Sequence, residues 1–290
     1  MGSAAKFFLF NRWADTGIGT ITSSGELGGF PASYTQDQAR GRTWRSSSLT
    51  SPFLKRDLGA AYNISAVVVV DHNLTTSATL RVRVSNNSDM SAPLFDSGNV
   101  NAWEAIYSAS EITKGKISEY FTAGGLPLAA AISALQEPIR IVSFTQVSGR
   151  YIQVDFSDSG NADGFIEVAY VFAGVMVEAD PNIIRGWTVV RDEIARMPQA
   201  SSGQYWMGSV LKRIHLDAEL APQKETDAFD TWMLMFRLLG NRREMIIRLI
   251  EDNGAWKYYT TVYCKFVSAP GLENAAINSY PIPLRFEEVL

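Results

Sequence analysis

The sequence has very few of the residues on which most catalytic and metal sites depend. Its 290 residues include one cysteine and two histidines. The single cysteine, Cys264, excludes an intramolecular disulfide framework and a metal site built from several thiolates. The lack of disulfides predicts folding in a reducing cytoplasm. Because Cys264 lies in a strand-like run, a small buried side chain is the favoured interpretation and a reactive thiol is the alternative.

Charge of either sign is modest and well mixed. Lys and Arg together number 26, Asp and Glu number 30, and the formal net charge is −4. This balance predicts no basic face for nucleic acid. No stretch reaches the roughly 18 apolar residues that a membrane-spanning helix needs, and residues 7–10 are too few for the apolar part of a signal peptide. We therefore expect no membrane insertion and assembly in the cytoplasm.

Enzyme motifs are also missing. There is no G-x-S-x-G and no P-loop, and the G-x-G of residues 17–19 lacks a third glycine and a following helix. The acidic pairs 251–252 and 287–288 lie on predicted strands, where adjacent side chains point to opposite faces, so neither pair suits acid–base catalysis. We expect no enzyme activity and no bound cofactor.

One acidic cluster, Asp155, Asp158 and Asp163, has the oxygen-rich turn character that Ca²⁺ favours. Such turns are also common without a metal, so both interpretations stay open. Neither histidine has another ligand type at metal-binding spacing. His72 follows the end of a predicted strand, which suits a polar loop position or a ligand contact. His215 interrupts an alternating strand and is expected on its solvent-facing side.

The clearest structural signal lies in residues 42–87. Ile64–Val70 is almost continuously apolar, which predicts a central strand or one buried on both faces. Thr79–Ser85 alternates apolar and polar residues, which predicts a half-buried strand. Further strand candidates separated by turns are residues 19–24, 93–96, 103–108, 139–146, 150–156 and 165–172. This rhythm predicts an antiparallel sandwich or jelly roll, with Trp44 and Leu58 in its core. Residues 110–136 interrupt this series of strands. We expect them to form either a surface excursion that binds a partner or a lid over the end of the sandwich.

The pattern changes near residues 174–181, so we expect one domain over residues 1–178 and a second over 179–290. In the second, Trp187–Glu193 and Val210–Leu220 are predicted strands. A helix with Pro222 in its first turn and Gly240 at its end should follow. Strands at 245–251 and 256–266 flank a turn at 252–254, and a last strand covers 283–289. The prediction is a mainly β chain with one helix.

Several short elements give the first part a family resemblance. Trp44-Arg45-Ser46, Asp57-Leu58-Gly59, Ile64–Val70, Leu80–Asn86 and Gly149-Arg150-Tyr151-Ile152 occur in the order typical of the discoidin, or galactose-binding-like, jelly roll. The first part resembles that family over residues 10–175. The resemblance implies sugar or lipid binding through loops at one end, although no motif specifies the residues. Trp103, Tyr107 and His72 are our candidate glycan contacts, with core packing as the alternative for the two aromatic residues.

The second part resembles the tube-type domain of the distal tail protein family of tailed phages. The matching pieces are Val210–Leu220, Asp227–Leu239 and Leu284–Leu290. In that family the domain forms a ring that continues the tail tube, with the sheet lining the channel and the helix outside. The order differs here, because the ring domain of the family comes first. The resemblance implies a virion protein that contacts itself, the tail tube and the tail-tip hub.

These patterns lead to two functional hypotheses. The first is a structural component of a phage tail tip or baseplate, whose ring displays the β-sandwich outward and lets DNA pass through its channel. A channel that does not trap phosphates should be anionic or neutral, so Asp217, Glu219 and Glu251 are the candidate lining residues rather than Arg242 or Arg243. The alternative is a carbohydrate-binding module that contacts host cell-surface glycan.

Overall fold

The structure is a computed structural model that describes most of the chain. The described residues are 4–104, 122–123, 126–127, 138–184, 186–195, 202, 210–251, 257, 260–268, 271–272, 274–277 and 279–289. Outside them lie Tyr107, most of the predicted excursion at 110–136 and the predicted turn at 252–254. Among the described residues, no helix combines the length and apolarity of a membrane span.

The chain divides into two compact units. The sandwich unit comprises Phe8–Val177 and Glu251–Thr261, and the sheet–helix unit comprises Met1–Phe7, Glu178–Ile250 and Val262–Leu290. The start of the chain therefore clusters with its C-terminal part. Within the sheet–helix unit, the backbone N–H of Ala179 donates to the carbonyl of Ala5 at 3.0 Å, which ties the two segments together.

The sandwich unit is built on one extended antiparallel sheet. Two long strands, β4 and β10, run through its centre and pair with each other. The strands along the main path lie in the order β3-β11-β4-β10-β5-β6, while β2 pairs with β4 and β7 with β5. The described strands are β2 Ile21–Ser23, β3 Trp44–Arg45, β4 Phe53–His72, β5 Thr79–Ser85, β6 Phe95–Asp96, β7 Val100–Asn101, the small pair β8 Thr122–Ala123 and β9 Leu126–Pro127, β10 Ile139–Ser157, and β11 Glu167–Gly174.

The two long strands bend together instead of ending. The pairing of β10 with β4 shifts register between Ser143 and Val147 and again between Gly149 and Tyr151. Such bulges bend a strand without breaking it. The sequence predicted two separate strands here, at 139–146 and 150–156, and that prediction was wrong. Residues 147–149 between them pair regularly with residues 62–64 of β4, and the irregular positions lie on either side of them within one strand of 19 residues.

The clearest sequence predictions are confirmed by burial. Ile64–Val70 is buried throughout and lies between β10 and β11, so this part of β4 is a central strand. In β5, Leu80, Val82 and Val84 are buried while the arginines between them are partly exposed. Alternation in the sequence identified the core-facing side because successive side chains point to opposite faces of a strand.

One hydrophobic cluster joins both halves of the bent sheet. It contains Leu54 and Val67 from opposite ends of β4, together with Val142 and Val154 from opposite ends of β10. The sheet therefore folds over its own core, as the two layers of a sandwich do. Trp44 and Leu58, which the sequence placed in this core, are 0% and 2% exposed.

The sheet–helix unit contains a seven-stranded sheet and one described helix. The strand order is β12-β1-β15-β16-β17-β14-β13, in which the described pairings β13–β14, β14–β17 and β16–β17 are antiparallel. Its strands are β1 Lys6–Phe8, β12 Met176–Glu178, β13 Thr188–Ala195, β14 Val210–Gln223, β15 Met245–Arg248, β16 Thr261–Phe266 and β17 Tyr280–Glu288. The chain is thus mainly β, with two large sheets, as the sequence predicted.

The helix, α1, runs through residues 225–239 in three continuous pieces: Glu225–Asp227, a π-helical segment Ala228–Met233, and Leu234–Leu239. It begins later than predicted. Pro222 lies in β14, next to a register shift that a proline tolerates, and Lys224 is still extended. The predicted end is confirmed, because Gly240 follows the helix with a positive φ of 55°.

Candidate functional surfaces

Two of the three predicted glycan contacts lie against each other inside the sandwich unit. Trp103 is 3% exposed and its indole N–H donates to the carbonyl of Leu74 at 2.8 Å. The imidazole of His72 packs edge-on against Trp103, with ring centroids 5.0 Å apart. Trp103 therefore packs in the core, which was the alternative interpretation of this residue in the sequence. The third candidate, Tyr107, lies outside the described residues.

His72 is held as a neutral imidazole. It is the last residue of β4, it is buried, and neither ring nitrogen has a hydrogen-bond partner in the described structure. Burial, followed by the positive charge of Arg140, lowers the pKa of His72 to about 3. The predicted polar loop position is wrong, because β4 continues through this residue into the interior. His215, by contrast, is partly exposed and lies 3.2 Å from Asp192.

The three aspartates of the predicted cation cluster bind protein donors. Asp155 accepts from Nε and Nη2 of Arg83 at 3.1 and 2.8 Å, and Asp158 accepts from the backbone N–H and the hydroxyl of Thr75 at 2.8 and 2.6 Å. Asp163 accepts from the side-chain amide of Asn73 at 2.9 Å. Within the described part of the chain, no three His, Cys, Asp or Glu side chains form a group that could hold a metal ion.

Cys264 confirms the favoured interpretation of the sequence. It lies in β16, it is 0% exposed, and burial raises the pKa of its thiol well above the ordinary value. A thiol needs access and a stabilised thiolate to react, and Cys264 has neither. Its role in the sheet–helix unit is packing.

The sandwich unit carries a surface pocket of about 390 Å³ that the sequence analysis missed. It is lined by Phe10, Arg12, Ala61, Tyr62, Asn63 and Val175. The Arg12 guanidinium lies 4.6 Å from the centre of the Tyr62 ring, a cation–π distance. The pocket thus combines aromatic surface with guanidinium and amide donors. No sequence motif could have revealed it, because it is formed by three segments, at residues 10–12, 61–63 and 175, that are far apart along the chain.

A second, more polar pocket of about 280 Å³ lies on the face of β5 and β10. Its lining includes Arg81 and Arg83, but both guanidinium groups already bind carboxylates. Arg81 donates from Nε to Asp96 at 2.8 Å, and Arg83 binds Asp155. Arg12 of the first pocket also pairs with a carboxylate, that of Asp15, but through one nitrogen at 3.2 Å. A ligand in the second pocket would have to compete with two arginine–carboxylate pairs, so it is the weaker candidate.

The sheet–helix unit presents an open sheet edge. β13 is the terminal strand of the sheet and pairs only with β14 among the described strands. Its side chains from Val190 to Asp192 are exposed, and Val190 is 49% exposed. An edge strand leaves a row of backbone N–H and C=O groups available to a strand from another chain.

Two of the three predicted channel-lining residues share one face of β14. Asp217 is exposed, with its carboxylate 4.0 Å from the Arg285 guanidinium, and Glu219 is half-buried. Residues two apart on a strand point the same way, and both line a shallow pocket of about 240 Å³. The third, Glu251, clusters with the sandwich unit. The lining of a channel by these three residues stays a prediction.

Comparison with known proteins gives structural matches alone. No protein-family model and no curated protein sequence matches the chain. A chitosan-binding module of a chitosanase/glucanase from Paenibacillus sp. IK-5 is 18% identical, covering 57% of this chain and 99% of that one, with a TM-score of 0.36. A fucose binding module from Streptococcus pneumoniae is 13% identical, covering 57% and 95%, with a TM-score of 0.37.

The family 32 CBM from C. perfringens NanJ, solved with galactose, is 14% identical and also has a TM-score of 0.37. That match covers 60% of this chain and 99% of the module. Because all of these TM-scores lie below 0.5, the assignment of the fold rests on the strand order and core described above. On those grounds the chain contains a bent antiparallel β-sandwich and a second unit made of a sheet and a helix.

Proposed function

We propose that this protein is a structural subunit of a phage tail tip or baseplate, which assembles with copies of itself into a ring through the sheet–helix unit. The sandwich unit is then an appended domain of the ring subunit. The observation that carries the proposal is the open edge of the sheet at β13. The resemblance of 210–220, 227–239 and 284–290 to the distal tail protein family supports the choice of a tail assembly.

The edge at β13 has the properties of an assembly surface. The strand is eight residues long, and its outer side has no partner among the described strands. Addition of a strand to such an edge supplies main-chain hydrogen bonds, and side chains along the strand supply specificity. A contact that joins this edge to a different surface of the next copy is heterologous, and heterologous contacts close into rings when the rotation between copies allows it.

A charge placed on this edge tests the proposal. Val190 and Val267 are each 49% exposed and belong to the same unit, but only Val190 lies on β13. Lysine on an edge strand opposes strand addition, so Val190→Lys should lower the mass of the assembly in size-exclusion chromatography with light scattering and remove rings from negative-stain images. Val267→Lys should assemble like the wild type.

Two results would overturn the proposal. The first is a wild-type protein that stays monomeric at every concentration and forms no ring in the assembled particle. The second is equal loss of assembly in both lysine variants, which would show that the position of the charge on β13 is irrelevant.

The pocket at Arg12 and Tyr62 favours glycan binding as a second candidate function. Aromatic carbon faces and planar hydrogen-bond donors are the groups that recognise a sugar ring, and the volume of about 390 Å³ falls within the range of small-ligand sites. A glycan array probed with the wild type and with Asn63→Ala tests it. The Asn99→Ala variant, altered in the other pocket, is the matched control and should retain binding. Absence of binding by the wild type, or unchanged binding by Asn63→Ala, would exclude this function for the pocket.

A further inference from the structure

Helix α1 has an apolar side that the described residues of its unit leave half-exposed, with an edge-on contact between Phe229 and Tyr280 at one end. Its inner side buries Ala228, Trp232, Met235, Phe236 and Leu239. On the other side, Phe229, Leu234 and Leu238 are 46%, 51% and 50% exposed. A helix with one buried face normally presents polar residues to water, so three large half-exposed apolar side chains on the outer face indicate a contact beyond those of the described residues.

The π-helical segment aligns these three side chains. Phe229 and Leu234 are five residues apart, a spacing that would point them in different directions on a regular α-helix. Phe229 lies within the π-helical segment Ala228–Met233, and Leu234 follows that segment directly. In a π-helix residue i bonds to residue i+5, so positions five apart come close to one face. Leu234 and Leu238 are four apart on the α-helical part, which also places them on one face. The result is an apolar stripe, Phe229–Leu234–Leu238.

Charged residues of opposite sign flank the centre of the stripe. Asp230 lies four residues before Leu234 and Arg237 lies three residues after it, so both share its side of the helix. Both are exposed, and neither takes part in any of the ion pairs described for the chain. The same polarity continues outward, with Asp227 toward the start of the helix and the exposed Arg242 and Arg243 after its end.

We propose that the stripe binds the same stripe of a second copy of this chain, with the two helices antiparallel about a two-fold axis near Leu234. In that arrangement Asp230 of each copy faces Arg237 of the other, and the two Leu234 side chains meet at the axis. An isologous contact requires this self-complementarity, in which residue i meets j and j meets i. A parallel pair in register would instead set Asp230 against Asp230 and Arg237 against Arg237.

The dipoles of the helices favour the same direction. An antiparallel pair brings the positive N-terminal end of one helix beside the negative C-terminal end of the other.

A helix of 15 residues is only about 22 Å long, so the contact is small by the standards of stable dimers. We therefore expect a weak association that depends on protein concentration and weakens with added salt. This two-fold contact goes beyond the proposed ring, whose contacts run through β13.

A cysteine at the axis gives a direct test. With Leu234→Cys, the two introduced thiols of a dimer lie beside each other, and mild oxidation should cross-link the protein into a disulfide dimer. The native Cys264 is 0% exposed and does not compete. Leu94→Cys is the matched control, because Leu94 is 47% exposed and lies in the sandwich unit. Cross-linking of Leu234→Cys no faster than that of Leu94→Cys would overturn the proposal.

Charge exchange tests the direction of the helices. Asp230→Arg sets Arg against Arg in a self-dimer, and Arg237→Asp sets Asp against Asp. By sedimentation velocity, each variant alone should self-associate about tenfold more weakly than the wild type, because two ion pairs become two repulsions. A mixture of the two variants, and the double variant, should both recover association, since each restores two opposite-charge pairs.

Unchanged self-association of both single variants, or failure of their mixture to recover it, would overturn the antiparallel arrangement. This outcome is separate from that of the ring proposal. If Val190→Lys abolishes rings while the helix variants have no effect, the ring proposal is supported and the helix contact is overturned. If the helix variants weaken association while Val190→Lys leaves assembly unchanged, the helix contact is supported and the ring proposal is overturned.

Discussion

The guanidinium of Arg150 donates two hydrogen bonds to the carboxylate of Asp57, at the place where the two long strands of the sandwich bend. Its Nε donates to one carboxylate oxygen at 2.8 Å and its Nη2 to the other at 3.0 Å. Asp57 lies in β4 and Arg150 in β10, beside the register shift between Gly149 and Tyr151. The same aspartate accepts the backbone N–H of Gly59 at 2.7 Å. One carboxylate therefore anchors the bends of both strands.

This pair should make the stability of the protein depend on acid pH. The hydrogen bond from Arg150, assisted by that from Gly59, holds the pKa of Asp57 below its ordinary value, although partial burial opposes the shift. A lowered folded pKa contributes stability above the unfolded pKa of about 3.9, and this contribution is lost as the pH falls through the folded pKa. Asp57→Asn should therefore make the free energy of unfolding depend less on pH below about pH 4.

Chemical denaturation at several pH values measures this effect. In an Arg150→Gln background the pKa of Asp57 returns toward its ordinary value, so Asp57→Asn should change the pH slope less than it does in the wild type. Equal slopes for the wild type and Asp57→Asn would contradict the assignment.

Gly19 should tolerate no side chain. Its φ is +66°, and an added Cβ would lie 2.0 Å from the backbone oxygen of Asp57. A left-handed conformation costs an L-residue about 1–2 kcal/mol, and the clash with backbone adds to that, so Gly19→Ala should destabilise the protein by about 2 kcal/mol or more. Gly17→Ala is the control, because a Cβ there meets nothing within 4 Å. Similar unfolding free energies for the two variants would show that β4 shifts to make room.

His72 should lower the stability of the protein as the pH falls from 6.5 toward 3. The folded protein keeps the imidazole neutral down to a pKa of about 3, whereas the unfolded chain takes up the proton near pH 6.5. The unfolded state then binds more protons, and the free energy of unfolding falls by up to about 1.4 kcal/mol per pH unit. Replacing His72 with Phe, whose ring also packs against Trp103, should remove this slope.

The comparison is best made between pH 4.5 and 6.5, above the range in which carboxylates titrate. His215→Asn removes the other histidine and leaves His72 in place, so the part of the slope that comes from His72 should persist. A slope unchanged in His72→Phe would mean that the imidazole takes up its proton in the folded state.

Asp158 should be a structural carboxylate. It is 3% exposed and accepts both the backbone N–H and the hydroxyl of Thr75. Asp158→Ala leaves the half-buried backbone N–H of Thr75 without this acceptor and its hydroxyl with Ser77 alone, which should cost about 1–3 kcal/mol. Asp163→Ala removes a carboxylate that accepts an exposed bond from Asn73, and should cost less than about 1 kcal/mol. Both differences should persist in EDTA, whereas with a calcium site the chelator would destabilise the wild type and make both differences smaller.

Local periodicity accounts for the features that the sequence determined. Two patterns correctly predicted which side chains of β4 and β5 are buried: the apolar run at Ile64–Val70 and the alternation at Thr79–Ser85. Such patterns are informative because successive side chains along a strand point to opposite faces. The end of α1 at Gly240 was likewise determined locally, since a positive φ after a helix favours glycine. The burial of Cys264 followed from the apolar strand around it.

The start and the internal geometry of α1 were decided by tertiary structure. Pro222 is compatible with a helix start and with an irregular strand end, and pairing of β14 with β17 selected the strand. The π-helical segment that aligns Phe229 with Leu234 has no signature in a pattern analysed at 3.6 residues per turn. The apolar stripe was therefore visible only in the structure.

Long-range contacts decided the rest of the candidate sites. The pocket at Arg12 and Tyr62 joins three segments that are distant along the chain, and two candidate glycan contacts, His72 and Trp103, are buried against each other. The sequence alone determined which strands are buried and that the chain is mainly β, because those properties depend on neighbours along the chain. Which surfaces remain open for a ligand or a partner depends on neighbours in space, and only the tertiary structure decided that.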